Sequence, residues 1–385
     1  MTLKIFPLLG CNLSPLLFSI FIADLSQELK RSGIGIPLGH LIICVLFFAD
    51  DLVLIARSKK QLEKLLRITR DYFESHRLQI SEKKSKIFYS ELHDGKAIFA
   101  MGNSDPLTFD HAVSFKYLGV PLNCLPHRFF SDFNEQVKKR AQSYLARVLS
   151  LSKCGPDRAD LAYALWTQVA LPSILYGCEV CPLTATTIAE VERCQNAVGK
   201  FMLQVINSTA NIAANLDAGL EPVWAIVAKR VLCYTQKTMM KSSSSWVKIA
   251  IDENFKQGSN NWYTKYLLNW KVKTGSFDCG VSQINKNVKA AAIVDVMKRQ
   301  RKEAKTSTFA MNSPSSNRRD SWFKPKVWVS DSGMSKVYAE FRASNTGLGN
   351  RGPARNGQIY KLCPLCLRNG KKVLNNEVSY FCHIR

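Results

Sequence analysis

Apolar residues gather in short runs near the start of this chain and at helical spacing after residue 130. The densest early pattern is Val45-Leu46-Phe47-Phe48-Ala49-Asp50-Asp51-Leu52-Val53-Leu54-Ile55, two apolar runs around adjacent carboxylates. Short runs rich in Val, Ile, Leu and Phe read as strands, whereas Asp tolerates turns and is poor inside a strand. The pattern therefore predicts a hairpin with two carboxylates at its tip, and its apolar flanks on both sides predict that the hairpin is buried. Upstream, Ser14-Pro15 is a good helix start, and the apolar run after it reads as a buried helix ending near Leu25. Downstream, Ser58-Lys59-Lys60-Gln61 is a capping box opening a helix with Leu62, Leu65, Leu66, Tyr72 and Phe73 on one face. Phe115-Lys116-Tyr117-Leu118-Gly119-Val120 alternates and then meets a glycine, which predicts a strand ending in a turn.

Helical spacing takes over beyond these runs. Ser131 to Leu151 places Phe133, Val137, Tyr144, Leu145, Val148 and Leu149 on one side and predicts Lys138, Lys139 and Arg140 exposed. A second helix is predicted from Arg158 to Leu171, stopped by Pro172. Thr187-Ile188-Ala189-Glu190 is a further capping box, with Val191, Val198, Phe201, Met202 and Val205 buried behind it. Ser242 to Ser245 reads as a loop or linker. Trp262, Tyr263, Tyr266 and Trp270 form an aromatic group that reads as core, with a stacking surface as the alternative. Lys298 to Lys302 is a basic cluster, and Thr306 to Asp320 has a composition rich in Ser and Asn that favours disorder.

Composition adds a partner to this picture. The 385 residues suffice for two or three domains, and 46% hydrophobic with 22% charged residues is ordinary for a globular chain. The charge balance is not ordinary: 53 Lys and Arg stand against 30 Asp and Glu, a net charge of +23. Such an excess favours a polyanionic partner, nucleic acid ahead of an anionic membrane. No apolar run is long and uninterrupted enough to span a bilayer, and the first ten residues do not read as a secretory signal. An intracellular, non-secreted protein is expected, with its 12 cysteines reduced apart from one candidate metal site. Cys178 and Cys181 have a metal-like spacing but no second pair at finger spacing, and read as core.

Two carboxylates held ~4 Å apart repel by roughly 4 kcal/mol at an effective dielectric of ~20. A cation removes that cost, and Mg²⁺ takes carboxylate oxygens together with substrate phosphates. An exposed Asp-Asp turn is the plain alternative. Phe48-Ala49-Asp50-Asp51 resembles the metal-binding palm motif of reverse transcriptases, in the form found in non-LTR (LINE-type) retrotransposons. The neighbouring segments resemble that family in the right order. Gly10-Cys11-Asn12-Leu13-Ser14-Pro15 is similar to motif B, where the family has Gln before the glycine and this chain has Leu9. Leu78 to Ile87 resembles motif D, whose lysine lies near the incoming triphosphate and supplies a proton to the leaving pyrophosphate. Lys84 and Lys86 stand at that place, Lys84 preferred as the catalytic one. Phe115 to Val120 resembles motif E, the primer grip, which assigns Tyr117, Leu118 and Gly119 to the primer end. Leu175-Tyr176-Gly177-Cys178-Glu179-Val180 resembles a Tyr-Gly segment beyond the thumb.

The resemblance implies an α+β fold: a partial polymerase palm over residues 1–122, a small antiparallel sheet with packed helices. A helical thumb-like region follows over 123–215, then a basic helical or linker region over 216–350. A small Cys-rich tail over 351–385 resembles a zinc knuckle, with Cys363, Cys366, Cys382 and His383 as candidate zinc ligands. The family's His would fall near Ser379 and its last Cys at or beyond Arg385. The implied function is RNA-directed DNA polymerisation by two-metal transfer, with Asp50 and Asp51 on Mg²⁺ and an RNA template and DNA primer as partners. Gly10, Phe48, Ala49 and Lys86 would lie along nucleotide or template, and Lys138, Lys139 and Arg140 on phosphates. The family's further Asp comes from motif A, upstream of motif B, and this chain reaches motif B at Gly10. The chain thus reads as a C-terminal fragment without fingers or motif A, expected to leave a sheet edge open and not to polymerise alone. A non-catalytic nucleic-acid-binding remnant is the alternative, and a partly folded relic the plainest one. The oligomeric state is not readable from the sequence.

Overall fold

The computed structural model describes residues 14–49, 51–88, 96–101, 104–153 and 158–303. Gly10, Asp50, the tail ligands Cys363, Cys366, Cys382 and His383, and Thr306 to Asp320 lie outside the described residues. The described residues of Met1–Asp132 with Thr238–Asn261 make one compact unit, and those of Phe133–Lys237 with Trp262–Arg385 the other.

In the first unit the N-terminal apolar run becomes two helices, α1 (Ser14–Phe21) and α2 (Ala23–Arg31). The helical stretch continues past Leu25 because Leu29, one turn on, is as fully buried as Leu25 itself. A short hairpin that the sequence reading did not anticipate follows, β1 (Ile36–Leu38) and β2 (Leu41–Ile43). Leu38 pairs with Leu41, and Gly39 takes the φ of +60° that such a two-residue loop needs. The Asp-Asp hairpin then forms as expected from β3 (Val45–Phe48) and β4 (Asp51–Leu54). It pairs with no third strand among the described residues.

α3 (Lys59–Ser75) is the scaffold for that hairpin. Ser58 caps it, its hydroxyl accepting from the Gln61 N–H at 3.3 Å, while the Gln61 side chain accepts from the Arg57 N–H at 3.0 Å. The box therefore closes one residue earlier than expected. One face of α3 puts Leu65 and Tyr72 into a core with Ile22, Leu25, Leu29, Cys44 and Val45. Its other face puts Leu66 against Phe99, Leu107 and Phe109. Those three belong to a second small sheet of order β5-β7-β6, from β5 (Lys86–Ile87), β6 (Lys96–Met101) and β7 (Ser104–His111). A further hairpin, β8 (Ser114–Tyr117) with β9 (Val120–Asn123), ends the palm-like stretch.

The second unit is helical. α4 (Ser131–Lys153) buries Phe133, Val137, Ala141 and Val148. The expected helix from Arg158 does not stop at Pro172. α5 (Arg158–Ala164) widens into a π-helical turn, Leu165–Ala170, and continues as α6 (Leu171–Ile174). The Leu171 N–H donates to the Trp166 carbonyl, the wide spacing of a π turn, and Pro172 then sits in the first turn of α6. There its missing N–H costs nothing, so the proline is absorbed. α7 (Ala185–Met202) begins earlier than expected, because Thr184 and not Thr187 caps it. The Thr187 hydroxyl is turned inward and shares a 2.8 Å hydrogen bond with that of Thr184. α8 (Asn211–Asp217) and α9 (Val223–Met239) follow; α10 (Trp246–Lys256) belongs to the first unit, and α11 (Trp262–Thr274) and α12 (Val281–Glu303) to the second. α10 packs beside β1, where a side chain at Gly39 would press on Ile249 and Glu253.

The aromatic group is mostly core, as expected: Tyr263, Tyr266 and Trp270 are buried, while Trp262 is 44% exposed. Cys178 and Cys181 are buried free thiols. Burial first, and Glu179 second, push both up, Cys181 to about 12, so both stay protonated and act as small apolar groups. No helix among the described residues is long and apolar enough to cross a membrane.

Candidate active site on the Asp-Asp hairpin

Strand register decides which side chains the hairpin offers. Val45 pairs with Leu54, Leu46 with Val53, Phe47 with Leu52 and Phe48 with Asp51. The paired strands end at Phe48 and Asp51, and Ala49 opens the two-residue loop between them. Such loops favour positive φ, and Ala49 has a φ of 50°, a conformation that costs a non-glycine residue about 1 kcal/mol. Alternation along the strands turns Val45, Phe47, Leu52 and Leu54 toward α2 and α3, and Phe48 and Asp51 to the opposite face. The hairpin expected to be buried is therefore buried on one face, and on the other Phe48 is 60% exposed. Asp51 is exposed, and its side chain makes no ion pair or hydrogen bond among the described residues.

The second hairpin closes in the same way. Tyr117 pairs with Val120, and Leu118 and Gly119 have φ of 47° and 83°. Tyr117 is half-buried, and its phenol is pushed up from the ordinary tyrosine range, by burial first and by the Asp51 charge second. Asp51 and Tyr117 therefore lie within electrostatic reach of each other. Sixty-odd residues of sequence separate them, so this electrostatic coupling comes from the fold.

Asp132 holds the base of this hairpin, a role that sequence reading missed. Its only signal was an acidic residue in the first turn of a helix. The Asn123 side chain donates to both Asp132 oxygens at 3.3 and 3.2 Å, the Ser131 hydroxyl donates at 3.0 Å, and Ser114 hydrogen-bonds it as well. Ser114 and Asn123 are paired across β8 and β9, so one carboxylate ties both strand ends. The Ser114 bond, together with those from Ser131 and Asn123, holds the carboxyl below its ordinary value against the opposing effect of burial. A lowered folded pKa adds stability above the unfolded value, and that stability is lost as pH falls through the folded value. Asp132→Asn should therefore lower the melting temperature at pH 7, and the gap should close below about pH 4. Melting curves across a pH series check this; a gap that persists in acid would remove Asp132 from the role.

The motif D lysines lie in the turn before β5 and on β5 itself. Lys84 is exposed in a turn after Ser81, and Lys86 on β5 pairs with Asp110 at 2.5 Å. Glu82 accepts from the Thr108 N–H at 2.9 Å, which pins the loop to β7. Neither lysine pairs with Asp51. In the second unit Lys139 is exposed, 3.8 Å from Glu135, whereas Lys138 and Arg140 are half-buried. Arg140 reaches the Ser173 carbonyl at 3.5 Å. Successive helical residues point about 100° apart, so the three cations do not share one exposed face as expected.

A hard divalent cation suits an exposed, uncommitted carboxylate such as Asp51. Among the described residues, however, no three His, Cys, Asp or Glu side chains gather to hold a metal ion.

Residues 7–122, the span holding both hairpins, match the family described as Reverse transcriptase (RNA-dependent DNA polymerase). The chain is also 25% identical over 209 residues to the Retrovirus-related Pol polyprotein from type-1 retrotransposable element R2 of Popillia japonica. That similarity covers 52% of this chain and 28% of the relative's length. Residues 7–122 thus carry the likeness to reverse transcriptases, and the chain is similar to a non-LTR retrotransposon polyprotein of which it matches only about a quarter of the length.

Proposed function

We propose that this chain grips an RNA template annealed to a DNA primer as the palm and thumb of an RNA-directed DNA polymerase, without extending the primer by itself. The electrostatic influence of Asp51 on Tyr117 carries this reading, since it links a candidate metal-binding carboxylate to a candidate primer grip. In this reading Asp50 and Asp51 hold Mg²⁺, and Tyr117, Leu118 and Gly119 lie along the primer end. Gly10, Phe48 and Ala49 line the nucleotide and template, while Lys84 and Lys86 face the triphosphate. The second unit acts as the thumb, with Lys139 its outward cation beside Lys138 and Arg140. Cys363, Cys366, Cys382 and His383 form an accessory zinc-dependent grip, and the protein works inside the cell.

Bound magnesium would activate the primer 3′ hydroxyl and neutralise charge on the phosphates. Transfer by two ions requires carboxylates on both of them, and no further Asp or Glu joins Asp51 in a metal-holding group among the described residues.

Primer extension on an RNA template, run beside a binding measurement, tests the proposal. The purified chain should bind the primer–template and add no nucleotide. Unaided extension that Asp50→Asn abolishes would overturn the claim of inactivity, and absence of binding would overturn the proposal altogether.

A further inference from the structure

A cleft of about 270 Å³ opens in the second unit, away from both hairpins in sequence, lined by Tyr163, Thr167, Pro172, Gln195, Glu221 and Arg230 among others. We infer that it receives one unstacked base of a single-stranded nucleic acid; this rests on the proposed function, because it takes nucleic acid as the partner.

The wall of the cleft is the irregular helix. Tyr163 and Thr167 lie on either side of the start of the π turn, and Pro172 lies just past its end. π turns gather at functional sites, and this one keeps these side chains on the cleft side while the helix carries a proline. The floor is fixed. Gln195 is fully buried; its amide oxygen accepts from the Trp166 indole at 3.2 Å and its nitrogen donates to the Glu221 carbonyl at 2.9 Å. The second N–H of that amide has no partner among the described residues. Tyr163 lines the cleft half-buried, and its hydroxyl makes no hydrogen bond among the described residues. At the side, Arg230 commits its Nε to Glu179 at 2.7 Å, which leaves its terminal nitrogens for a phosphate. Glu221 holds Lys229 at 3.1 Å.

The lining selects among ligands. The volume is below the ~300–1,000 Å³ of sites for drug-sized molecules, which suits a planar ring and excludes a dinucleotide cofactor. Donors on Gln195, Tyr163 and Arg230 stand beside the Glu221 acceptor, and Leu171, Leu220 and Ile226 supply apolar surface, which together match a flat ring with a mixed polar edge. A lone phosphate would sit against the Glu221 carboxylate. Stacking on a tyrosine is sequence-tolerant, as a non-specific strand contact must be.

The test uses the full chain and a labelled single-stranded oligouridine carrying 4-thiouridine, irradiated and mapped by mass spectrometry. The crosslink should fall on the peptide bearing Tyr163. Tyr163→Ala should weaken binding about tenfold with the salt slope unchanged, and Tyr163→Phe should retain most affinity. Ile226→Trp fills the cleft with Tyr163 in place and should give a similar loss, with folding checked by circular dichroism. If the wild-type chain binds the oligonucleotide but neither variant weakens it, the cleft assignment falls and the proposed function stands. If the wild-type chain binds no nucleic acid, both fall.

Discussion

Between about 50 and about 200 mM monovalent salt, the affinity of this chain for a primer–template is expected to fall about a thousandfold. The cause is release of counterions from the nucleic acid as lysines and arginines replace them, and the net charge of +23 supplies ample cations. About six phosphate contacts suffice for a drop of that size. Not every cation should contribute. Lys139 is exposed with only a distant helical partner, so Lys139→Ala should reduce the log–log slope by about one. Lys86 is already held by Asp110, and Lys86→Ala should change the slope little. Fluorescence anisotropy across a salt series measures both; a slope near zero would mean that the positive charge is merely solvated surface.

Leu65→Ala should destabilise the first unit by about 3 kcal/mol. Leu65 is fully buried where α3 meets Val45 of the Asp-Asp hairpin and Leu25 of α2. Its truncation removes apolar contact and leaves a cavity in the layer that supports the carboxylates. Urea unfolding followed by a probe attached to the first unit measures the loss. A change below about 1 kcal/mol would mean that the hairpin is not built on this helix.

The parts of the fold legible in the sequence were those whose signal is local. The Asp-Asp hairpin, the Ser58 cap and the strand before Gly119 each announce themselves within a dozen residues. What escaped depends on distant partners. The extension of α2 to Arg31 rests on burial of Leu29 by residues of α3 and β3, which no local pattern reports. Pro172 looked like a stop because an α-helix cannot hold it, yet a π turn before it removes the conflict. Lys138 and Arg140 looked exposed by their charge, but a helix fans consecutive side chains around its axis, and both became half-buried. At the candidate site, the sequence supplied Asp51 and Tyr117 separately; their electrostatic coupling is a property of the fold. Asp132 was invisible because its role is to bridge Ser114 and Asn123, which only strand pairing brings together.

The explanation of the hairpin is that a divalent ion offsets the repulsion of neighbouring acids at its end. Manganese stands in for magnesium in that role and can be counted by electron paramagnetic resonance. Titrated into the full chain, Mn²⁺ should bind, and Asp51→Asn should weaken that binding about tenfold or more, since affinity follows the number of charged ligands. Indistinguishable Mn²⁺ binding by the wild-type and Asp51→Asn chains would contradict it.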